Sequence, residues 1–492
     1  MWNLPPRAIS WTALPLFLLA LLLMGLPSRA YAQVARSLAP NAQADEVFER
    51  AVDAFEAGNY DLAERRFEEA WQRYPVHLRT TAAALMQGKA LYRAERYREA
   101  IEAMDRFLEA YPTSRYVESA RRTRGFARTY LAAQDADARL VRLGVALPTE
   151  GEDARLARAF FNGLRLAVDE HNLNTAEPVQ MVFRPTGSNR ATEQALLELS
   201  REGVDAVIGP LFTEEAEVAA RTAERERLPL VVPLDASEDL TAGRQWVYQV
   251  NPNITARGGL MARFAQRNLG LNTFAALAES GNDLSERMAA GFRQEALGEG
   301  GAVALYATLE PRAWSRLPDE VEAGVLASAE ALYVPLVSRD AIAKVDAVLQ
   351  GLTRMGLGLP SPDASAPRVR LLGDEAWHDL PMAALASEFA ATYGLVFDPQ
   401  DGPALQRIRS GYRALAGDDL PASLERLVIT AYDTATYLME QLTLSSDEAL
   451  PDRIRRAAPF EGAGIRIHFE SERVNQGLYV YRYRFGRQER LR

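Results

Sequence analysis

Cysteine is absent from the whole chain of 492 residues. This absence excludes disulfide bonds, thiolate zinc sites and cysteine nucleophiles. It also excludes a lipidated cysteine at an export-cleavage site, so we expect the mature protein to carry no acyl anchor. A role that depends on redox chemistry of thiols is therefore excluded as well.

Lysine is nearly absent too, since it occurs at Lys89 and Lys344 alone. The chain carries 56 basic and 66 acidic residues, which gives a net charge of −10. A nucleic-acid-binding protein shows an excess of basic residues to meet the phosphates. The composition therefore predicts no nucleic-acid partner, while 48% hydrophobic and 25% charged residues predict a folded chain.

Long apolar runs are also missing, apart from one near the start at residues 14–26. Its length of about 13 residues is below the roughly 20 that a membrane-spanning helix needs. Arg7 precedes the run, and Ala30-Tyr31-Ala32 follows it with the small-x-small pattern of a signal peptidase site. We expect a signal peptide over 1–32, cleavage after Ala32 and a periplasmic location without a membrane anchor. The alternative is that the run is retained as an anchor.

The sequence patterns of common catalytic sites do not occur. There is no Gly-x-x-x-x-Gly-Lys-Ser/Thr loop, no Gly-x-Ser-x-Gly turn and no His-Glu-x-x-His helix. The adjacent acids Asp374 and Glu375 have the chemistry of a glycosidase pair, but no fold signal accompanies them. The sequence therefore predicts a protein that is not an enzyme and has no metal site or cofactor.

Two segments near the start repeat each other at a spacing of 37 residues. Aromatic, small and apolar residues at such positions let antiparallel helices pack closely, and a proline ends the helix. The pattern resembles the tetratricopeptide repeat and predicts an all-α module over 41–134, with a third, capping helix near 115–131; a plain helical hairpin is the alternative. The matching pairs are Tyr60/Tyr97, Ala63/Ala100, Phe67/Met104, Ala70/Phe107, Tyr74/Tyr111 and Pro75/Pro112.

From residue 139 onward, short apolar runs alternate with amphipathic stretches. This alternation predicts an α/β fold with doubly wound parallel sheets, and about 350 residues are too many for one such sheet. We expect two lobes within a domain over 139–490. The first would span about 139–251 plus returning segments after about 380, and the second about 253–379. The predicted strands are 140–148, 179–184, 204–210, 229–234, 273–279, 302–309, 331–336 and 369–373.

Several motifs then follow one another in a recognisable order. Together they resemble the leucine/isoleucine/valine-type solute-binding proteins, which implies a two-lobed type 1 periplasmic-binding-protein fold over about 139–485. The resemblance implies a small-molecule ligand held between the lobes. The motifs are Val207-Ile208-Gly209-Pro210, Leu230-Val231-Val232-Pro233, Val247-Tyr248-Gln249-Val250-Asn251-Pro252, Ala431-Tyr432-Asp433-Thr434-Ala435 and the pair 460–462 with 467–469.

Candidate ligand-binding residues follow from the strand map, because ligands of such folds bind outside the carboxyl ends of the strands. The first lobe offers residues after three strands, and the second lobe offers residues that face them. The candidates are Thr149, Thr213, Asp235, Ala236, Ser237, Asn282, Asp283, Asp340 and Asp374, with Glu150, Ser338 and Glu375 beside them.

The loop after the Gly-Pro turn departs from the amino-acid-binding members, which hold the ligand carboxylate with hydroxyl residues there. Here Thr213, which we expect to cap the next helix, is followed by Glu214 and Glu215. Two glutamates at a helix start repel a carboxylate by about 1 kcal/mol or more each. The sequence thus disfavours a zwitterionic amino acid and leaves open a cationic, amide-bearing or sugar-like ligand, or none.

Two functions remain open at this point. The first is a non-catalytic solute receptor that binds a small polar ligand and serves an ABC permease or a sensor. The second is an interaction scaffold of the cell envelope, because tetratricopeptide repeats joined to this fold resemble the activators of penicillin-binding peptidoglycan synthases. Those activators are lipoproteins, and this chain lacks the anchor cysteine. In either case the helical repeats are expected to bind a protein partner: a permease, a sensor or a cell-wall synthase.

Overall fold

The computed structural model describes residues 41–135, 140–175, 177–359, 368–444, 446, 448–470 and 472–491. The chain divides into two compact units, Met1–Ala138 and Arg139–Arg492. The predicted signal peptide and its cleavage site lie outside the described residues. None of the described helices is both long and apolar enough to span a membrane.

The first unit is all-helical over its described part, which confirms the predicted helical module. Tyr60 begins the second helix and Tyr97 the fourth, so the 37-residue spacing relates the second members of two helix pairs. Asn59 caps the second helix by accepting a hydrogen bond from the Leu62 backbone N–H at 3.3 Å. The helices are α1 (Ala42–Glu56), α2 (Tyr60–Gln72), α3 (Thr80–Arg93), α4 (Tyr97–Ala110) and α5 (Val117–Asp135).

The two equivalent tyrosines of the repeat differ in burial. Tyr97 is buried, and its ring centre lies 5.9 Å from that of Tyr92 and 5.5 Å from that of Tyr130. Tyr60 is half-buried, and its hydroxyl accepts a hydrogen bond from Arg93 at 2.8 Å. The difference arises because α5, which carries Tyr130, covers the second helix pair.

The first lobe of the second unit is built on a parallel sheet of five strands in the order β2-β1-β3-β4-β5. β3, β4 and β5 are buried over their whole length, which explains their continuous apolar sequences. The strands are β1 (Val141–Pro148), β2 (Val179–Thr186), β3 (Ala206–Ile208), β4 (Leu230–Val232) and β5 (Val247–Gln249).

Helices from two parts of the chain cover this sheet. Three follow the strands, and three more return from the C-terminal part of the chain. The returning helices share one hydrophobic core with the first of these three. The other two strand-following helices pack in a second core with other residues of the sheet. Gly163 permits the closest approach, because a Cβ there would lie 2.3 Å from the backbone oxygen of Val428. The helices are α6 (Ala154–Leu173), α7 (Asn189–Arg201) and α8 (Thr213–Glu226), with the returning α15 (Pro403–Ala416), α16 (Ala422–Thr443) and α17 (Leu450–Arg456).

The second lobe contains a sheet of seven strands among the described residues, in the order β14-β13-β10-β9-β8-β6-β7. Its first five strands in chain order pair in parallel, and the last two form an antiparallel edge. The strands are β6 (Thr273–Glu279), β7 (Ala302–Leu309), β8 (Ala331–Tyr333), β9 (Arg370–Gly373), β10 (Thr392–Leu395), β13 (Tyr479–Arg484) and β14 (Arg487–Arg490).

The predicted end of the second lobe near residue 379 is wrong. β10 pairs with β9 and then with β13, so the chain stays in the second lobe to residue 395 and re-enters it at residue 479. β10 has only four residues and includes Gly394, which gives too short an apolar pattern to predict a strand. The predicted closing hairpin at 460–469 is a separate small sheet of β11 (Phe460–Glu461) and β12 (Arg466–Ile467).

The remaining helices belong to the second lobe. Asn253 follows the crossover from the first lobe and caps the first of them by accepting from the Ala256 backbone N–H at 2.7 Å. The first two pack very closely, since a Cβ on Gly258 would lie 1.8 Å from the Met288 carbonyl oxygen. They are α9 (Ile254–Leu269), α10 (Asp283–Gly298), α11 (Leu317–Glu320), α12 (Ala323–Ala327), α13 (Ala341–Arg354) and α14 (Ala383–Glu388), with 3-10 turns at Trp314–Arg316 and Glu375–Trp377.

Candidate ligand-binding site

The carboxyl ends of the parallel strands in both lobes carry the predicted site residues. In the first lobe these residues follow β1, β3 and β4. In the second lobe they follow β6, β8 and β9. Parallel strands expose free backbone groups and helix starts at this edge, which is where ligands bind in doubly wound folds.

Asp235 of the first lobe is buried, and its carboxylate is satisfied by neighbours. The Ser237 backbone N–H donates to its Oδ1 at 2.9 Å, and the Ser237 hydroxyl donates to its Oδ2 at 2.9 Å. Gln249 at the end of β5 donates to Oδ1 at 3.2 Å and to the Asp235 carbonyl oxygen at 2.9 Å. With Ala236 between them, the three predicted residues form a closed polar turn.

The other first-lobe candidates lie nearer to solvent. Thr149, Glu150, Thr213 and Glu214 are all exposed. The expected N-cap at Thr213 is wrong, because the helix α8 already includes Thr213 and the residue at the cap is Phe212, which offers no side-chain acceptor. Glu215 is buried instead, and its Oε2 has no hydrogen-bond partner within the described part of the chain.

A lysine cluster occupies the matching edge of the second lobe. The ammonium group of buried Lys344 donates to Asp340 at 2.7 Å and to the Ser338 hydroxyl at 3.0 Å, and it also pairs with Glu279 at the end of β6. The hydrogen bond from Lys344 holds the pKa of Asp340 below its usual value. The single positive charge of Lys344 is therefore shared between two carboxylates.

Asn282 and Asp283 both serve the start of α10. Asn282 caps the helix by accepting from the Ser285 backbone N–H at 3.3 Å. Asp283 is exposed and pairs with Arg287 at 3.0 Å. Both predicted residues thus have structural partners in their own lobe.

Among the described residues, two of the ion pairs that join the lobes lie beside these strand ends. Glu238, which follows the Asp235 turn, pairs with Arg287 of α10 and also accepts from the Thr255 hydroxyl at 3.0 Å. Glu375, which follows β9, lies 3.4 Å from Arg426 of α16. The sequence analysis missed these pairs, since nothing in the chain order relates their members.

A small cavity of about 40 Å³ lies at the carboxyl edge of the second sheet. β8, β9 and β10 form its floor, while α9 and α10 form its side. Arg257, Met261, Met288, Tyr333, Asp374 and Glu375 are among its lining residues. It therefore combines an apolar wall with a charged end.

Asp374 is the predicted residue that reaches this cavity. Its carboxyl group is 5% exposed, and its Oδ1 accepts from the Ala376 backbone N–H at 3.1 Å. Its Oδ2 is buried without a hydrogen-bond partner among the described residues. Burial raises the pKa of Asp374 to about 8, with neighbouring Glu375 adding to the shift. At neutral pH the group is therefore protonated and can donate a hydrogen bond.

Arg257, which the sequence analysis missed, is half-buried beside Asp374. Its Nε donates to the Pro252 carbonyl oxygen at 3.1 Å and one Nη donates to the Asn251 side-chain oxygen at 3.0 Å. Both acceptors are uncharged, and no ion pair joins Arg257 to an acid within the described ranges. Burial lowers the pKa of Arg257, and the charge of Glu375 opposes that shift.

Larger cavities lie away from these strand ends. Two, of about 270 and 240 Å³, follow the outer side of α9 and share Leu260, Arg263 and Gln476 in their linings. Another, of about 290 Å³, lies in the helical unit against Trp71, Phe107 and Tyr111. The cavity at the carboxyl edge of the second sheet is thus smaller than these, and its lining includes Asp374, whose Oδ2 is buried without a hydrogen-bond partner among the described residues.

Comparison with known families separates the two units. The model of the outer membrane lipoprotein family YfiO matches residues 40–160, so the helical unit is YfiO-like. The periplasmic binding protein model matches residues 140–488. A search of curated proteins finds no significant match.

Comparison with solved structures finds matches to the second unit, of which the first described below shows the same fold. A protein described as a branched-chain amino acid ABC transporter from Rhodospirillum rubrum is 19% identical, with a TM-score of 0.53, and the match covers 72% of this chain and 100% of that one. A substrate-binding protein from Desulfitobacterium hafniense in complex with leucine is 20% identical over 72% and 100% of the two chains, with a TM-score of 0.43. A solute-binding protein from Rhodopseudomonas palustris BisB5 in complex with 3,4-dihydroxybenzoic acid is 15% identical over 70% and 93%, with a TM-score of 0.38. At these identities the likeness concerns the fold. Because the family model covers most of its length, the chain belongs to the periplasmic binding protein family.

Proposed function

We propose that this protein is a non-catalytic solute-binding protein of the periplasm that holds a small polar ligand between its two lobes. In this role it corresponds to the substrate-binding component of an ABC transporter or to a receptor for a sensor. One observation carries the proposal: a buried carboxyl oxygen of Asp374, which has no hydrogen-bond partner in the part of the chain that the structure describes, belongs to a residue that lines a cavity at the carboxyl edge of the second sheet.

A buried polar atom without a partner costs about 1–3 kcal/mol. Natural proteins keep such groups at binding sites, where a ligand supplies the missing partner. The position supports the same interpretation, because Asp374 follows β9 directly, at the edge where doubly wound folds bind ligands. The absence of a catalytic role stays a prediction, supported by a family whose members are solute-binding proteins.

The envelope location is part of the proposal. Both matching families, an outer membrane lipoprotein and a periplasmic binding protein, support it. We further propose that the chain is processed after Ala32 and that residues 41–134 and 139–490 fold as separate domains. Sequencing the mature N-terminus tests the processing, and we expect Gln33 as the first residue.

Native mass spectrometry of protein purified from periplasm tests the ligand directly. We expect a mass excess from one bound small molecule, which is released on denaturation and identified. The variant Asp374→Leu should lose this mass because it removes the polar group from the cavity. Asp346→Leu, which changes an acid on α13 of the same lobe that bonds Gln350 at 2.8 Å, is the control and should keep it. Wild-type protein without any bound molecule contradicts the proposal.

A second function, an interaction scaffold of the cell envelope, is supported by different observations. The Glu238–Arg287 and Glu375–Arg426 pairs join the lobes through the chain's own side chains. The 290 Å³ cavity of the helical unit offers an aromatic surface to a protein partner such as a permease, a sensor or a cell-wall synthase. A photoreactive residue in place of exposed Arg106, at the rim of that cavity, should crosslink one envelope protein in cells. Crosslinking in the absence of any bound small molecule would favour this second function.

A further inference from the structure

We infer that the cavity beside Asp374 is the subsite for an anionic group of the ligand, a carboxylate, which Arg257 binds and to which Asp374 donates a hydrogen bond. The inference rests on the proposed function and names the charge of the ligand. It also moves the anion-binding group from the first lobe, where the family resemblance placed it, to the second.

The main support for this inference is that Arg257 is half-buried and has uncharged hydrogen-bond acceptors. A half-buried guanidinium normally has a carboxylate partner, because a charge without one is costly to remove from water. Arg257 has uncharged acceptors, the Pro252 carbonyl and the Asn251 amide oxygen, at 3.1 and 3.0 Å. The remaining N–H groups of a guanidinium match a carboxylate in geometry and charge.

The charges around the cavity favour a single negative group. Arg257 and Arg426 are positive, and Glu375, which pairs with Arg426, is negative. Asp374 and Tyr333 are neutral at neutral pH, because burial raises the pKa of both groups. The sum is one uncompensated positive charge, which a monoanion neutralises.

The size and polarity of the cavity agree with a carboxylate. About 40 Å³ suffices for two or three water molecules by this measure, which is the size of a carboxylate group and not of a whole amino acid. Asp374 has one donor to give, since its Oδ1 already accepts from Ala376 and its Oδ2 is free among the described residues. The rest of the ligand would extend toward the first lobe.

Fluorine NMR with two probes of nearly equal shape tests the inference. Trifluoroacetate carries the charge, and trifluoroacetamide lacks it. At about pH 6.5 we expect the mature wild-type protein to bind the anion about tenfold more tightly than the amide. Arg257→Gln should remove that preference, whereas Arg257→Lys, which keeps the charge and controls for folding, should retain most of it. Arg267→Gln is the matched control, because Arg267 lies on the same helix but pairs with Glu299 at 2.7 Å.

The pH dependence separates Asp374 from Arg257. As pH rises through about 8, Asp374 loses its proton and the affinity of the wild type for trifluoroacetate should fall. Asp374→Asn keeps a donor and cannot ionise, so its affinity should stay constant over the same range. The other charged side chains at this end of the cavity are Arg257, Arg426 and Glu375. Burial raises the pKa of Tyr333 well above its usual value, so Tyr333 stays neutral over the same range.

Several results overturn the inference: equal binding of the two probes, an unchanged preference in Arg257→Gln, or no binding of trifluoroacetate by folded wild type. The proposed function is tested separately from the anion subsite, by the presence of a co-purified ligand. A co-purified ligand without an acidic group upholds solute binding and contradicts the anion subsite. Absence of both a co-purified ligand and trifluoroacetate binding contradicts both.

Discussion

The two lobes have the same kind of parallel sheet, but Asp235 of the first lobe and Asp374 of the second, two buried acids that each follow a strand, differ in how many hydrogen bonds they receive. In the first lobe Asp235 receives hydrogen bonds from Ser237 and Gln249, and Asp433 of α16 receives three from backbone N–H groups at 2.7–3.0 Å. In the second lobe Asp374 receives one. The difference teaches that two sheets of the same topology can carry an acid after a strand and still differ in the hydrogen-bond partners that the acid has. On the proposed function, that difference assigns the specific ligand contacts to the second lobe.

The largest expected effect comes from removing the carboxylate of Asp433, which accepts three backbone hydrogen bonds. Asp433→Ala leaves the backbone N–H groups of Ala463, Gly464 and Ile465 without an acceptor in a buried environment. We expect the free energy of unfolding to fall by about 3–5 kcal/mol, since each buried unpaired donor costs about 1–3 kcal/mol. Urea denaturation measures it. A loss below about 1 kcal/mol would show that water replaces the carboxylate and would weaken the contrast between the lobes.

Replacing Asp374, which receives one hydrogen bond, should raise the free energy of unfolding and not lower it. The folded-state pKa of Asp374 is raised to about 8, above the unfolded value of about 3.9, so the protein loses stability as pH rises between these values. Asp374→Asn cannot ionise and should be more stable than the wild type by about 1–3 kcal/mol at about pH 8, with little difference near pH 4. Thermal unfolding of both proteins across this range measures the difference. Equal stabilities at every pH contradict the raised pKa.

The smallest effect concerns the connection between the lobes. The side chains of Arg287 and Glu238 are 35% and 32% exposed, so their ion pair is worth about 0.5–1 kcal/mol. Arg287→Gln should change stability by no more than that but should shift the lobes toward a more open arrangement, because one of the pairs across the cleft is lost. Small-angle scattering should show a larger radius of gyration than the wild type has. Arg316→Gln, which removes a surface pair with Glu320, is the control and should leave the radius unchanged.

The fold was predictable because it depends on local patterns. Alternating apolar runs and helices marked the strands β1–β4 and β6–β9, and the repeat of Tyr60 and Tyr97 marked the helical unit. β10 and the antiparallel edge were missed because short strands at a lobe crossing are defined by their partners and not by their own sequence. The burial of Tyr60 and Tyr97 also depends on their partners in the fold, so the sequence did not predict that Tyr97 is the more buried of the two.

The candidate site was predictable in position but not in chemistry. Asp374 follows a buried strand, and that position is readable from the sequence. The sequence does not show that the Oδ2 of Asp374 lacks a hydrogen-bond partner among the described residues. It also does not show that Arg257 is half-buried with a lowered pKa, since both properties depend on which residues the fold brings near. The sequence analysis drew no functional prediction from Lys344. Two of its acceptors, Asp340 and Ser338, are near it in the chain, but the third, Glu279, is 65 residues away and is brought near only by the fold. The assignment of the predicted residues to ligand binding, Asp374 included, stays a prediction.

The central claim is that the second lobe holds the anionic part of a bound solute through Arg257. Native mass spectrometry of wild type, Arg257→Gln and Arg257→Lys proteins, purified in parallel from periplasm, tests it most directly. We predict an acid-bearing small molecule on the wild type, its loss from Arg257→Gln and its partial retention by Arg257→Lys, with all three proteins folded. The same bound molecule at equal occupancy on all three proteins, or none on the wild type, would contradict the account.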